Sequence, residues 1–108
     1  MKEITSVHNS VVQLLRALQK PKARRENGIF VAESAKMVGE AVDLGLCCML
    51  AVESGREKDY AALIEKAGQA GCETLLFSSA VMQAASTAKT TQGILCTVAI
   101  PEPPKALS

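Results

Sequence analysis

The chain has 108 residues, 48% of them hydrophobic, which is enough for one folded domain with its own core. One Tyr, two Phe and no Trp leave few aromatic rings, which disfavours a surface that binds single strands by base stacking. The net charge is only +1, but residues 1–36 hold seven basic and three acidic side chains, a net charge of +4, whereas the remainder carries −3. This asymmetry is typical of a surface that binds polyanions; a solvated charged helix end is the alternative.

The cysteines indicate a reducing environment. Cys47, Cys48, Cys72 and Cys96 lie within or beside apolar runs, and none has the C-x-x-C spacing of zinc or dithiol sites. We therefore predict buried thiols, no metal site and a cytoplasmic location. No apolar stretch approaches the ~20 residues that cross a bilayer, and the N-terminus lacks the apolar core of a signal peptide, so no membrane partner is expected.

Motifs for catalysis and nucleotide binding are absent from the sequence. His8 is the only histidine and has no partner at the spacing of a metal site or a catalytic triad, so we interpret it as structural or incidental. Neither G-x-G-x-x-G nor G-x-x-x-x-G-K-[ST] occurs. We predict no catalytic residue and no cofactor in this domain.

The first elements follow from apolar periodicity and capping residues. Positions 11, 14, 15 and 18 form one apolar helix face, with Asn9 as the N-cap and Pro21 as the end of the helix. A basic hinge is expected at residues 21–28, followed by a strand at residues 29–32. The next helix is predicted to begin at Ser34 and to end before a glycine at position 45.

The same strand and helix pattern then repeats. The remaining predicted elements are a strand at 47–52, a helix capped by Asp59 and stopped by Gly71, a strand at 73–77, a helix from Ser78 or Ser79, and a strand at 94–100. Strands that are apolar along their whole length need helices on both faces. We therefore predict an α/β fold, a three-layer α/β/α sandwich with a small mixed sheet of about four strands, in a domain at 1–100. The proline-rich residues 101–108 are predicted to be a linker.

Two places in this fold suit an anion. Residues 33–36 surround the start of the second helix, where free amides and the helix dipole attract negative charge, and Arg24 and Arg25 are near in sequence. Alternatively, Ser34 only caps its helix and Glu33 only complements the dipole. Residues 89–92 form the second place, because a cation, two hydroxyls and an amide follow one another there.

These residues also carry a family resemblance. Ser6 and Asn9 before the first helix, the string Arg25-x-x-Gly28-x-Phe30-x-x-Glu33, and Gln92-Gly93 resemble the N-terminal substrate-binding domain of the SpoU/TrmH family of RNA ribose 2′-O-methyltransferases. The resemblance spans nearly the whole chain. Two positions depart from the family pattern: Ser34 stands where Gly is usual, and Thr91 stands where Pro is common.

The resemblance implies a fold similar to ribosomal-protein-type domains that bind kinked RNA, in which a helix start and a nearby loop grip the bent backbone. Here these would be residues 33–36 and 89–92. It also implies a parent enzyme whose C-terminal knotted domain, missing from this chain, binds S-adenosylmethionine, transfers the methyl group and could form a homodimer. The chain alone would be inactive and would position structured RNA, ribosomal or alternatively transfer RNA.

The predicted RNA-binding residues comprise phosphate-neutralising cations and polar groups for sugars, bases or backbone: Ser6, Asn9, Lys20, Lys22, Arg24, Arg25, Glu33, Ser34, Lys36, Lys89, Thr90, Thr91 and Gln92. The alternative function is a protein-interaction or dimerisation domain that does not bind RNA.

Overall fold

Five strands form one mixed sheet in residues 1–101, the part of the chain that the computed structural model describes. They are β1 (Lys2–Ile4), β2 (Ile29–Ala32), β3 (Cys47–Glu53), β4 (Glu73–Phe77) and β5 (Ile94–Ala99). The order across the sheet is β1-β4-β3-β5-β2. Strands β1, β4 and β3 are parallel, whereas β5 runs antiparallel to both of its neighbours, β3 and β2.

This register brings five strand ends to one edge of the sheet. Phe77 is paired with both Ile4 and Glu53, so the carboxyl ends of β1, β4 and β3 are level. Ile94, which begins the antiparallel strand β5, is paired with Val52, and β2 ends close by at its own carboxyl end. We call this the top edge, and the loops that leave it carry the residues discussed below.

Helices cover both faces of the sheet. They are α1 (Ser10–Ala17), α2 (Pro21–Asn27), α3 (Ala35–Asp43), α4 (Ala61–Gln69) and α5 (Ser79–Ala85), with a 3-10 turn at Glu57–Tyr60. Ile94 and Cys96 belong to the apolar cluster under α3 and α4, whereas Leu95 belongs to the cluster under α1 and α5. A strand buried on both sides explains why its sequence is continuously apolar. The predicted three-layer α/β/α fold is therefore confirmed.

Three predicted helix caps are also present. The side chain of Asn9 accepts a hydrogen bond from the Val11 amide at 2.9 Å, and those of Ser34 and Ser78 each accept an amide at 3.2 Å. These bonds satisfy amides that have no partner inside the helix. The starts of α1, α3 and α5 could thus be read from short polar side chains in the sequence.

Two predictions about the N-terminal third are wrong. The sheet has five strands rather than about four, because Lys2–Ile4 adds a short strand in which only Ile4 is buried. The predicted hinge at 21–28 is instead helix α2, and Pro21 begins it rather than ending α1. Proline suits a first helical position because its fixed φ is helical and its missing N–H has no acceptor there. Gly28, with a φ of 67°, ends the helix in the left-handed conformation.

Two further predictions need correction. Asp59 does not cap α4: it lies inside the 3-10 turn, and α4 begins at Ala61 without a side-chain cap. The cysteines are not all buried, because Cys48 is exposed and Cys47 only partly buried.

The predicted linker at 101–108 lies outside the described residues except for Pro101. Within the described residues, none of the helices has the length and apolar character needed to cross a bilayer.

Candidate functional site

The top edge collects most of the predicted site residues. Ser6 and Asn9 follow β1, residues 33–36 follow β2, and residues 89–92 precede β5. These three segments are remote in sequence and meet only because the strand ends are level. Polar side chains from separate loops therefore share one edge of the molecule, which is where ligands bind in many open α/β sheets.

Gln92 joins the two segments that were predicted to bind an anion. Its side-chain Oε1 accepts the amide of Ala35, the first residue of α3, at 3.0 Å. Ser34 Oγ accepts the Met37 amide at 3.2 Å. Two amides at the start of α3 are therefore bonded within the protein, and among residues 1–101 the Lys36 amide is left without a partner. The start of α3 and the loop at 89–92 therefore form one polar surface, in which two of the helix amides are already hydrogen-bonded.

Glu33 holds the other end of the same loop. Its carboxylate accepts hydrogen bonds from the Ser86 hydroxyl and from both the amide and the hydroxyl of Thr87. Partial burial alone would raise the pKa of Glu33, but these bonds outweigh it and hold the pKa below its ordinary value of 4.5. Glu33 is thus an ionised anchor for the loop, and its partners are Ser86 and Thr87 rather than the α3 amides.

A second set of contacts supports the loop from the side of β3, and the sequence analysis did not identify it. The Tyr60 hydroxyl donates to the Gln92 carbonyl oxygen. Arg56 lies over the Tyr60 ring, 5.6 Å from its centroid, and its Nε is 3.3 Å from Asp59 Oδ2. The guanidinium also lies against Gly93, where a Cβ atom would be 2.8 Å from Nη1. The location of Arg56 just after a parallel strand was the available sequence signal.

The basic residues of α2 lie beside this surface rather than on it, because α2 leads into the opposite end of β2. Arg24 Nη1 donates to the Leu18 carbonyl at 3.2 Å, so this cation holds the end of α1. Arg24 also lines a groove of about 380 Å³ together with Phe30, Glu33 and Thr87. The groove connects α2 with the loop of the top edge.

The other predicted cations differ in how much they are neutralised. Lys22 is 3.8 Å from Glu26 in an exposed pair, which contributes little. The remaining ion pairs among residues 1–101 are Arg56 with Asp59 and Lys66 with Asp43. The other cations of the predicted site are exposed and unpaired within the described residues: Lys20, Arg25, Lys36 and Lys89.

Residues 1–101 contain no cluster of three or more His, Cys, Asp or Glu side chains placed to hold a metal ion. The two charged groups of the groove, Arg24 and Glu33, are hydrogen-bonded within the protein. Cys47 and Cys72 have Sγ atoms 2.8 Å apart, and burial raises the pKa of Cys72 to about 12, which keeps this thiol protonated.

Several solved structures with the same fold are RNA methyltransferases. An rRNA methyltransferase from Sinorhizobium meliloti is 27% identical, with a TM-score of 0.77 over 91% of this chain and 36% of that one. Its AdoMet-bound structure has a TM-score of 0.79 at 27% identity, over 95% of this chain and 38% of that one. The SpoU methyltransferase AviRb from Streptomyces viridochromogenes shares the fold at 17% identity, with a TM-score of 0.68 over 86% of this chain and 34% of its own.

The chain thus spans a little over a third of the Sinorhizobium meliloti structures that it resembles. None of the curated proteins matches it by sequence. The family model for the MRM3-like substrate-binding domain matches residues 9–96, which includes both the helix start at 33–36 and the loop at 89–92. The chain therefore belongs to the MRM3-like substrate-binding domain family, the fold of which occurs in SpoU/TrmH methyltransferases.

Proposed function

We propose that this domain binds structured RNA, with ribosomal RNA as the substrate and transfer RNA as the alternative. The observation that carries the proposal is the surface at the top edge, where the start of α3 and the loop at 89–92 are joined by the Gln92 to Ala35 hydrogen bond. Exposed cations flank this surface at Lys36 and Lys89. The family match and the rRNA methyltransferase structures support RNA as the ligand.

The chemistry of the surface suits a sugar-phosphate backbone. Lys36 and Lys89 offer ammonium groups to phosphates, and Thr90 offers a hydroxyl to a phosphate or to a ribose 2′-OH. Oε1 and the carbonyl oxygen of Gln92 are occupied within the protein, so Gln92 shapes the surface and keeps only its Nε2 donor for RNA. Few groups remain for base edges, and recognition is therefore expected to depend on RNA shape.

The contribution to methylation would be positional. We propose a parent enzyme in which residues 101–108 link this domain to a knotted domain that binds S-adenosylmethionine and performs methyl transfer, possible homodimerisation being a property of that second domain. The AdoMet-bound structures among those with the same fold support this arrangement. Holding the target ribose near the methyl donor would lower the entropic part of the barrier. The isolated chain is proposed to have no methyltransferase activity.

The test is RNA binding by charge-reversal variants, measured by fluorescence anisotropy at several salt concentrations. The probes are a labelled RNA duplex kinked by an asymmetric internal loop and a straight duplex of equal length. Arg25→Glu and Lys36→Glu should weaken binding to the kinked RNA and reduce the slope of log affinity against log salt by about one each. Arg24→Glu is less suitable, because Arg24 also bonds the Leu18 carbonyl.

The matched control is Lys66→Glu, which reverses one exposed charge near the end of α4, at the opposite end of the strands from the top edge. It should leave the affinity and the salt slope close to those of the unaltered protein. Equal losses in all three variants would indicate unspecific attraction to charge, and no binding to either RNA would contradict the proposed function.

The alternative, a protein-interaction or dimerisation domain, is favoured by one observation. Leu44 and Met37 of the α3 segment are 72% and 46% exposed, which is high for large apolar side chains. Sedimentation velocity of the free chain over a range of concentrations tests for self-association. A dimer that dissociates on Leu44→Ser, together with failure to bind RNA, would favour this alternative.

A further inference from the structure

Arg56 is a cation at the top edge, in the loop between β3 and α4. It follows β3 directly, and its backbone amide is bonded to the carbonyl of Glu53 at 3.0 Å. Its side chain is 39% exposed, so the guanidinium is partly shielded but reachable from solvent. Because Arg56 follows the end of β3, it lies at the top edge of the sheet, as does the loop at 89–92.

The guanidinium is held in one place by three contacts. It lies over the Tyr60 ring, and its Nε is paired with Asp59 at 3.3 Å. It also lies against Gly93, where a Cβ atom would be 2.8 Å from both Cδ and Nη1 of Arg56. An arginine restrained in this way loses less conformational entropy on binding an anion than a free lysine would.

The same contacts leave donors available. A guanidinium has five N–H groups, and among residues 1–101 the only hydrogen bond from the Arg56 side chain is the one from Nε. The Nη atoms therefore keep their donors, and Nη1 lies beside Gly93. Tyr60 connects the two parts of the surface, since it contacts Arg56 through its ring and the Gln92 carbonyl through its hydroxyl.

We propose that Arg56 is a phosphate-binding residue of the RNA surface, on the side of β3, and that Tyr60 and Gly93 position it. This inference rests on the proposed function and extends it. The RNA backbone would run from α2 and the start of α3, across the loop at 89–92, to Arg56. Bidentate donation to a phosphate is the interaction for which a planar guanidinium is best suited.

The experiment compares Arg56→Ala with Lys66→Ala in the anisotropy assay with the kinked RNA duplex. The two variants are matched, because each removes one cation from an exposed ion pair with an aspartate at 3.3 Å. Arg56→Ala should weaken binding by roughly three- to tenfold at about 0.1 M salt and lower the salt slope by about one. Lys66→Ala should change neither.

Asp59→Asn provides a second test, which distinguishes phosphate binding by Arg56 from a purely structural role. It keeps an oxygen that can accept from Nε and removes a negative charge that would repel phosphate, so RNA affinity should rise while the circular dichroism melting temperature stays within a few degrees. The inference is overturned if Arg56→Ala behaves like Lys66→Ala, or if Asp59→Asn weakens binding. Absence of RNA binding by the unaltered chain would instead overturn the proposed function, so the two failures are distinguishable.

Discussion

Replacing Glu33 by Gln tests whether this carboxylate anchors the loop of the top edge. The substitution keeps the shape of the side chain and removes its charge. In the structure the carboxylate accepts three hydrogen bonds, from the hydroxyl of Ser86 and from the amide and hydroxyl of Thr87. A hydrogen bond to a charged group contributes about 1.5–3 kcal/mol when shielded, and much less when solvent screens it.

Glu33 is only partly buried, so we discount these contributions and expect a loss of about 1–2 kcal/mol in the free energy of unfolding. For a domain of this size that lowers the melting temperature by roughly 5–15 °C. The measurement is thermal and urea denaturation followed by circular dichroism at about pH 7. RNA affinity should fall as well, because the loop at 89–92 would be less ordered before binding.

The pH dependence gives the sign of the effect. The pKa of Glu33 is lower in the folded protein than its ordinary value of 4.5, so its stabilisation is present above that value and lost as the pH falls through the folded pKa. The difference between the unaltered protein and Glu33→Gln should therefore shrink as the pH is lowered below that ordinary value. Glu26→Gln is the matched control, because Glu26 is exposed and only 3.8 Å from Lys22 in a solvent-facing pair. Equal melting temperatures for all three proteins at about pH 7 would refute the reasoning.

Two further predictions concern stability and thiol reactivity. Arg24→Ala should lower the melting temperature by a few degrees more than Arg25→Ala does. The reason is that Arg24 donates a hydrogen bond to the Leu18 carbonyl at the end of α1, whereas Arg25 is exposed. Equal melting temperatures by circular dichroism would contradict this prediction. Iodoacetamide at about pH 8 should alkylate Cys48 first, because Cys48 is exposed whereas burial raises the pKa of Cys72 to about 12 and disfavours its thiolate. Peptide mass mapping over time measures the order, and faster labelling of Cys72 would contradict the prediction.

Local patterns predicted those elements that local physics controls. The apolar spacing of α1 and the caps Asn9, Ser34 and Ser78 depend on neighbours within one helical turn, so they can be read from the sequence. Strand β1 could not be predicted in this way, because three residues with a single buried side chain carry no periodicity. It exists through pairing with β4, which lies far along the chain. Pro21 was ambiguous for a local reason, since proline both follows helices and begins them.

The sequence by itself therefore determined the α/β class, the two-sided burial of the strands and the segments that carry the charged and polar groups. Only the tertiary structure decided which partners those groups have. Glu33 and Thr87 are 54 residues apart, and Gln92 and Ala35 are 57 apart, yet each pair is hydrogen-bonded. The physical reason is that an antiparallel strand, β5, begins where the neighbouring strands end, and this level register alone brings the loops together.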